Sequence, residues 1–158
     1  MSNRREVKSF VLRKGRMSKR ERIGLDKFWQ CYGIDIKSDT VLDFKSIFGN
    51  ANPVVLDIGF GMGATLVDAA RQHPDTNYVG IEVFLRGIGS TLHAIHDHKL
   101  DNLKIVNHDA VQVLANNLLD NSLSKCCVFF PDPWHKSKHK KRRLINEGFL
   151  NVLSKKLI

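Results

Sequence analysis

From Val54 onward, short apolar segments alternate with helical segments, and this alternation limits the folds that the chain can adopt. The pattern predicts strands over 54–58, 78–83, 103–107 and 126–130, and helices over 64–72, 85–98, 110–119 and 142–158. Continuous apolar strands are typical of parallel sheets that are buried on both faces. The chain is therefore expected to form an α/β fold, with a parallel sheet, right-handed crossovers and helices on both faces.

The segment before Val54 has a different character. Residues 1–33 are predicted to form a basic amino-terminal arm followed by a helix that starts at Lys19. Ser18 and Glu21 have the spacing of a capping box at the start of that helix. Residues 34–53 are rich in turn-forming residues and are interpreted as a connector. Residues 54–158 then form the α/β domain, and the length of 158 residues suits one domain or most of one.

The net charge of +9 is concentrated at the two ends of the chain. Residues 1–22 carry nine basic and two acidic side chains, and residues 135–158 carry eight and one. The intervening residues 23–134 carry eight basic and thirteen acidic side chains. An acidic body between two basic ends is typical of nucleic-acid binders, although solvated ends that bind nothing would have the same composition.

The cysteines and the hydropathy of the chain indicate a cytoplasmic protein. Cys31, Cys126 and Cys127 have no metal-binding spacing and form no even disulfide set, so they are expected to be reduced. No apolar run approaches the roughly 20 residues of a membrane helix, and no signal region follows the basic start. His93 and His96 could share a helix face, but no third ligand is evident, so no metal site is expected.

The first predicted strand runs into a glycine-rich loop, in which Gly59, Gly61 and Gly63 alternate with other residues. Glycine tolerates positive φ and lets the backbone approach a ligand closely. This spacing suits an adenosine-containing cofactor, but it also fits the dinucleotide fingerprint. The loop alone therefore does not separate a nicotinamide cofactor from S-adenosylmethionine.

One acidic residue lies at or just after the end of each predicted strand: Asp57, Glu82, Asp109 and Asp132. Because the carboxyl ends of parallel strands meet at one edge of the sheet, these carboxylates are expected on one rim, where such sheets bind ligands. Glu82 is placed to bind the ribose hydroxyls of either cofactor. Asp57 favours the methyl donor, whose sulfonium and amino groups are positively charged. The alternative is that these residues are turn residues and helix caps, in particular Asp109 before the helix at Ala110.

The segment 129–143 combines an acidic turn with a dense cationic run. Asp132 lies between Pro131 and Pro133, and Trp134 follows. Residues 136–143 include six Lys or Arg among eight. A carboxylate in a rigid turn can hold a substrate group, and the cationic run can hold a polyanion, whereas the alternative is a plain turn followed by solvated charge.

Four motifs occur in this order: Asp57-Ile-Gly-Phe-Gly-Met-Gly63, Gly80-Ile-Glu-Val83, His108-Asp-Ala110 and Phe129-Phe-Pro-Asp-Pro-Trp-His-Lys136. In order and spacing they resemble the bacterial tRNA (guanine-N7-)-methyltransferase family, and residues 9–16 resemble the amino-terminal arm of that family. The resemblance covers nearly all of the chain, and the block at 129–136 with its basic tail is the most diagnostic part. It implies a Rossmann-like class I methyltransferase fold, S-adenosylmethionine as cofactor, and N7 of guanine 46 in tRNA as the methyl acceptor.

The resemblance also assigns roles to the residues that match its motifs. Cofactor binding falls to Asp57, Gly59, Gly61, Gly63, Glu82, Asp109 and, in part, Asp132. Asp57 would hold the methionine end or nearby waters, Glu82 the ribose and Asp109 the adenine. Asp132 would be catalytic. RNA binding falls to Lys136, Lys138, His139, Lys140, Lys141, Arg142 and Arg143.

This reaction needs little acid–base catalysis from the protein. Guanine N7 already carries a lone pair, so no base has to remove a proton before methyl transfer. Methylation leaves a positive charge on the purine, and a carboxylate such as Asp132 could accept hydrogen bonds from the guanine N1 and N2 groups and stabilise that charge. Catalysis would then consist mainly of alignment and electrostatic stabilisation.

Members of the resembled family continue past the position of Ile158 with further strands, including an antiparallel pair and a second acidic motif that binds guanine. The chain is therefore expected to be the amino-terminal two thirds or so of such an enzyme, lacking the carboxyl-terminal strands. Two alternatives stay open. One is a catalytically inactive RNA-binding remnant of this family, and the other is a nicotinamide-dependent enzyme, which does not explain the Pro-Asp-Pro-Trp block. The sequence does not indicate whether the protein is a monomer or a homodimer.

Overall fold

A computed structural model describes residues 8–10, 15–37, 39–131, 134 and 142–158. In this part of the chain the helices are α1 (Lys19–Tyr32), α2 (Phe44–Phe48), α3 (Ala64–Gln72), α4 (Leu85–Asp97), α5 (Ala110–Asn116) and α6 (Glu147–Lys156). The strands are β1 (Gly33–Ile34), β2 (Val54–Ile58), β3 (Asn77–Glu82), β4 (Leu103–Asn107) and β5 (Lys125–Val128). None of the helices in these ranges has both the length and the hydropathy that crossing a lipid bilayer requires.

The strands form one parallel sheet in the order β1-β4-β3-β2-β5. Ile58, the last residue of β2, lies beside Ile81 of β3 on one side and Val128 of β5 on the other. The chain runs from β2 through β3 to β4 in one direction, whereas β5 lies on the opposite side of β2. The strand order therefore reverses between β2 and β5, and the carboxyl ends of these two strands flank a crevice. The predicted parallel α/β sheet is confirmed.

Helices cover both faces of the sheet, as the apolar strands predicted. Val79 and Ile81 of β3 belong to the apolar core under α2, α5 and α6. Tyr78 of the same strand belongs to a second core, which α1, α3 and α4 cover. This alternation follows from the two-residue period of a strand, so a central strand contributes to two separate cores.

The amino-terminal helix α1 packs directly on α4 through two glycines. Gly24 has no room for a Cβ against the carbonyl group of Gly89, and Gly89 has none against the carbonyl group of Glu21. The expected capping box is present, because Ser18 Oγ accepts from the N–H of Glu21 and the Glu21 carboxylate accepts from the N–H of Ser18. The same carboxylate forms an ion pair with Arg86 of α4. Helix α1 is therefore packed into the same unit as the sheet.

The interval 34–53, interpreted as a connector, contains a short helix. Helix α2 begins after Asp43, whose carboxylate accepts two backbone N–H groups of the first turn. It ends at Phe48, and Gly49, with a left-handed φ of 69°, caps its carboxyl end. Phe44 in this helix is buried in the core. The Asp and Gly at its two ends were a sequence signal that the connector interpretation missed.

Several predicted elements are shorter in the structure than in the sequence pattern, among them α5, which ends at Asn116 rather than at residue 119. Strand β5 ends at Val128, because Phe130 has a φ of 50°, which lies outside the extended region. The expectation that this strand extends to Phe130 is wrong, and Phe130 is 98% exposed. Helix α6 begins at Glu147 rather than Arg142, because the side chain of Asn146 caps it there.

Candidate active site

The crevice between β2 and β5 holds a cavity of about 230 Å³ at the carboxyl ends of the strands. Its walls come from the glycine-rich loop, the end of β3, the start of α5, the exit of β5 and the amino-terminal arm. Of the predicted cofactor residues, Gly59, Gly61 and Glu82 line this cavity. The structure thus brings the first two motifs of the sequence to one place.

The three glycines of the loop are in different environments. All have positive φ, with 74° at Gly59, 62° at Gly61 and 81° at Gly63, a region that glycine adopts without strain. A Cβ added to Gly59 or Gly61 would meet nothing within 4 Å, so these two leave open space beside the cavity. Gly63 instead has no room for a Cβ, because Thr91 of α4 packs against it. The first two glycines can therefore admit a ligand, whereas Gly63 allows α3 and α4 to pack.

The carboxylate of Glu82 accepts three backbone hydrogen bonds. Its Oε1 accepts from the N–H of Val83 at 2.7 Å and from the N–H of Phe84 at 3.1 Å. Its Oε2 accepts from the N–H of Gly61 at 2.9 Å, which joins the end of β3 to the glycine-rich loop. A carboxylate has about four lone-pair sites, so Oε2 retains the capacity to accept from a ligand hydroxyl.

Asp57 is buried one residue before the end of β2, with 6% of its surface exposed. Desolvation by burial, followed by the negative charge of Glu82, raises the pKa of Asp57 to about 6. Within the described ranges, no Lys, Arg or His forms an ion pair with it. The two neighbouring carboxylates therefore create a negative site that favours a cationic group.

Asp109 acts as a helix cap, which was the alternative interpretation of this residue. Its Oδ1 accepts from the N–H of Val111 at 2.9 Å, at the start of α5. Its neighbours His108 and Ala110 line the cavity. Capping uses one carboxylate oxygen, so it does not exclude ligand binding, and the adenine contact of Asp109 stays a prediction.

The amino-terminal arm reaches the cavity through Ser9 and Phe10, which line it. The indole Nε1 of Trp134 donates to the carbonyl oxygen of Ser9 at 3.1 Å. The guanidinium carbon of Arg142 lies 4.5 Å from the centre of the Trp134 ring, within the range of a cation–π contact. Trp134 therefore joins the arm to the basic segment. Sequence reasoning missed Ser9 and Phe10 as site residues, because no local pattern reports a contact across 125 positions.

Several predicted site residues lie outside the described part of the chain. These are Asp132, Lys136, Lys138, His139, Lys140 and Lys141. Their catalytic and RNA-binding roles stay predictions. Arg142 and Arg143 are described, and Nη2 of Arg143 donates to the carbonyl oxygen of Trp134 at 3.5 Å.

Histidines and cysteines that could have carried other chemistry have structural contacts. His93 pairs with Asp97 at 3.2 Å, and the ring of His96 stacks on Phe28 with a centroid separation of 3.9 Å. Across the described residues, no three or more His, Cys, Asp or Glu side chains are grouped so that they could hold a metal ion. Burial, followed by the adjacent thiol and carboxylate, raises the pKa of Cys126 to about 12, so this thiol stays protonated at neutral pH.

Comparison with known proteins identifies the class that this fold and site define. A family model described as "Putative methyltransferase" matches residues 51–158. Among solved structures, the chain resembles a "putative s-adenosyl-l-methionine-dependent methyltransferase" of Methanococcus maripaludis, with a TM-score of 0.51 and 18% identity, over 94% of this chain and 63% of that one. The family model covers more than half of the chain, which therefore belongs to a methyltransferase family, and its fold is the Rossmann-like methyltransferase fold that the resemblance implied.

Curated relatives narrow this class to one family. A tRNA (guanine-N(7)-)-methyltransferase of Francisella philomiragia is 47% identical over 155 residues, which are 98% of this chain and 68% of the relative. A tRNA (guanine-N(7)-)-methyltransferase of Pectobacterium atrosepticum is 45% identical over 153 residues, which are 97% of this chain and 64% of the relative. The chain belongs to the tRNA (guanine-N(7)-)-methyltransferase family of enzymes, and it spans about two thirds of the length of these relatives.

Proposed function

We propose that this chain transfers a methyl group from S-adenosylmethionine to N7 of a guanine in tRNA. Family membership supports this reaction, since the curated relatives are named for it. Guanine 46 of the variable loop is the expected acceptor, and the cytoplasm is the expected compartment. The two basic ends of the chain carry the charge that attracts an RNA backbone.

The observation that carries this proposal is the position of the cavity. It lies where the strand order reverses, which is where sheets of this kind bind ligands. Because Ile58 of β2 is paired with Val128 of β5, the glycine-rich loop and the exit of β5 leave the sheet side by side. A methyl donor on the loop and an acceptor base beside the β5 exit would therefore meet in one cavity, as in-line transfer needs.

The residues of the cavity fit S-adenosylmethionine. The backbone at Gly59 and Gly61 leaves open space that side chains would occupy. The negative site at Asp57 and Glu82 favours the cationic amino and sulfonium groups, whereas the diphosphate of a nicotinamide dinucleotide would be repelled there. Glu82 Oε2 can accept a hydrogen bond from a ribose hydroxyl. When bound, this cofactor supplies an electrophilic methyl group on a positively charged sulfur.

The remaining tasks belong to the carboxylate and cationic residues of segment 132–143. We assign Asp132 to accept hydrogen bonds from the guanine N1 and N2 groups and to stabilise the positive charge that methylation leaves. Arg142, Arg143 and the basic residues before them are assigned to the RNA backbone. Since no group has to remove a proton from N7, alignment and electrostatics determine the rate.

Methyl transfer to unmodified tRNA tests the proposal. We expect the chain to form 7-methylguanosine, which strand cleavage at the modified base and mass spectrometry of the nucleosides would identify. An Asp132→Ala variant should bind tRNA but transfer methyl groups more slowly. Binding of both cofactor and tRNA without any transfer would support the RNA-binding remnant instead, and methylation of another atom would contradict the proposal.

A further inference from the structure

Phe130 has the most exposed large apolar side chain in the part of the chain that the structure describes. Phe130 is 98% exposed, and its neighbour Phe129 is 54% exposed. The backbone of Phe130 has a φ of 50°, a left-handed conformation that aromatic residues rarely adopt. The exposed ring and the strained backbone both cost free energy. Strain of this kind is concentrated at functional sites, where it holds a side chain ready for a ligand.

The sheet register places Phe130 at the mouth of the cavity. Val128 is the last residue of β5 and is paired with Ile58 at the end of β2. The residues after Val128 therefore leave the sheet beside the glycine-rich loop. Phe130 lines the cavity together with Gly59 and Glu82.

The surroundings of Phe130 favour a nucleobase as its ligand. A single exposed ring is far smaller than a protein interface, which buries about 800 Å² per partner. Trp134 contacts Ser9 of one basic end of the chain and Arg142 of the other, so both ends approach this region. An aromatic ring beside cationic segments is the arrangement with which proteins hold unpaired bases, since the ring stacks on the base while the cations bind phosphates.

We propose that Phe130 stacks on the guanine that is to be methylated and holds it at the mouth of the cavity. The inference rests on the proposed function, because a base in folded RNA must leave its stacked neighbours before its ring nitrogen can reach a donor in a pocket. Phe130 then replaces one of the stacking partners of the base in the folded RNA. The left-handed backbone keeps the ring out of the apolar core and in contact with solvent.

Because the backbone of Phe130 is strained, a glycine substitution can distinguish the proposed stacking role from a structural role. Glycine adopts a φ near 50° without strain, so Phe130→Gly should melt within a few degrees of the wild-type chain. The same substitution removes the ring and should weaken tRNA methylation. A residue that served only packing would lose stability and tRNA methylation together.

The experiment compares Phe130→Gly, Phe130→Leu and Phe130→Trp with the wild-type chain, using unmodified tRNA and saturating S-adenosylmethionine. Leu119→Ala is the control, because Leu119 is 52% exposed and precedes the opposite end of β5. We expect the Gly and Leu variants to lose roughly ten- to a hundredfold in kcat/KM for tRNA, the size of one base–aromatic stacking contact. The Trp variant and the control should retain activity, and all variants should bind S-adenosylmethionine within about twofold of wild type.

Titrations of tRNA at several salt concentrations complete the test. The Leu variant should lose affinity while the slope of log Kd against log salt stays constant, since stacking releases no counterions. The inference would be overturned if Phe130→Leu kept the wild-type kcat/KM and tRNA affinity. It would also be overturned if this variant lost as much affinity for S-adenosylmethionine as for tRNA, or if only its self-association changed. A wild-type chain that forms no 7-methylguanosine would contradict the proposed function, and the tRNA titrations of the variants would then decide the stacking role by themselves.

Discussion

At the carboxyl end of β2, Asp57 is buried beside the negative charge of Glu82, and its pKa rises to about 6. In an unfolded chain the same carboxyl group titrates near pH 3.9. Between these two pH values the native protein holds a proton that the unfolded chain has lost, so the free energy of unfolding falls as the pH rises through this range. At neutral pH the ionised Asp57 costs the folded chain about 3 kcal/mol. Such a cost is typical of residues that serve ligand binding.

Asp57→Asn should therefore stabilise the ligand-free chain at pH 7.5, by about 1–3 kcal/mol in the free energy of unfolding. The gain should disappear near pH 4, where the wild-type carboxyl is protonated. The same variant should bind S-adenosylmethionine more weakly. Denaturant unfolding and calorimetry would measure both effects, with Asp68→Asn as the control, since Asp68 is exposed and forms a surface pair with Arg71. A variant that is less stable than wild type at pH 7.5 would contradict this account of Asp57.

Glu82→Gln tests the ribose contact with little change in shape. The Gln carbonyl oxygen can still accept from Val83 and Phe84, but its NH2 group can accept neither from Gly61 nor from a ribose hydroxyl. We expect a loss of about 1.5–3 kcal/mol in the free energy of cofactor binding, measured by calorimetry on the folded variant. Unchanged affinity would remove Glu82 from the cofactor site.

At the scale of elements, the glycines of α4 determine how the site is assembled. Gly87 has no room for a Cβ against the carbonyl group of Gly61, so the first turn of α4 lies against the glycine-rich loop. Gly89, two residues further along α4, lies against α1 in the same way. A sequence pattern shows these glycines only as weak points in a predicted helix, because glycine has a low helix propensity. Their observed role is close packing between helices and loop.

Gly89→Ala should destabilise the fold by about 1–3 kcal/mol or more, because the added methyl group meets the backbone of α1 rather than a movable side chain. Gly148→Ala in α6 is the matched control, since its Cβ would meet only the Asn146 side chain at 3.4 Å. The control should be neutral or more stable by about 0.5–1 kcal/mol. Thermal unfolding of both variants would check the contrast, and equal effects at the two positions would argue against a tight contact between α1 and α4.

At the scale of the whole molecule, β5 is the outermost strand on its side of the sheet in the described part of the chain. Its half-buried residues Cys126 and Val128 pack at the margin of the core. Leu157 pairs in a parallel bridge with Leu123, which precedes β5. The last residues of the described chain therefore run alongside the segment before β5 and not alongside β5 itself. The backbone of β5 is therefore available for further pairing along that edge.

We expect residues 1–158 alone to self-associate or to be poorly soluble, because an apolar strand with an open edge pairs with other chains. Methyl transfer by this chain should be slow even where the cofactor binds. Adding a carboxyl-terminal segment of the kind that the longer relatives have should restore both solubility and rate. Sedimentation would measure the association state, and a stable monomer that methylates tRNA efficiently would show that such a segment is dispensable.

The basic segment should act on RNA and not on the cofactor. Replacing Lys138, Lys140, Lys141, Arg142 and Arg143 by neutral residues should weaken tRNA binding and reduce its salt dependence. The slope of log K against log salt should fall by up to ~0.9 for each phosphate that the variant no longer neutralises, while the affinity for S-adenosylmethionine stays constant. A salt slope equal to that of the wild-type chain would mean that the segment is solvated surface.

Local chemistry made part of this protein predictable from its sequence. Strands β2 and β4 and helix α3 have the predicted bounds, and α1 begins at the predicted residue, because hydrophobic periods and cap residues are short-range signals. The glycine-rich loop and Glu82 were expected on one rim, since parallel strands end at the same edge of a sheet. The methyltransferase family was recognisable from four motifs, each only a few residues long.

Only the tertiary structure decided what these residues face. It separates Gly63, which packs on α4, from Gly59 and Gly61, which lie open beside the cavity. It brings Ser9 to Trp134, and it turns Phe130 out of the apolar strand in which the pattern placed it. These outcomes depend on contacts between distant parts of the chain and on one backbone angle. A sequence pattern reports neither, because periodicity and caps record only interactions within a few residues.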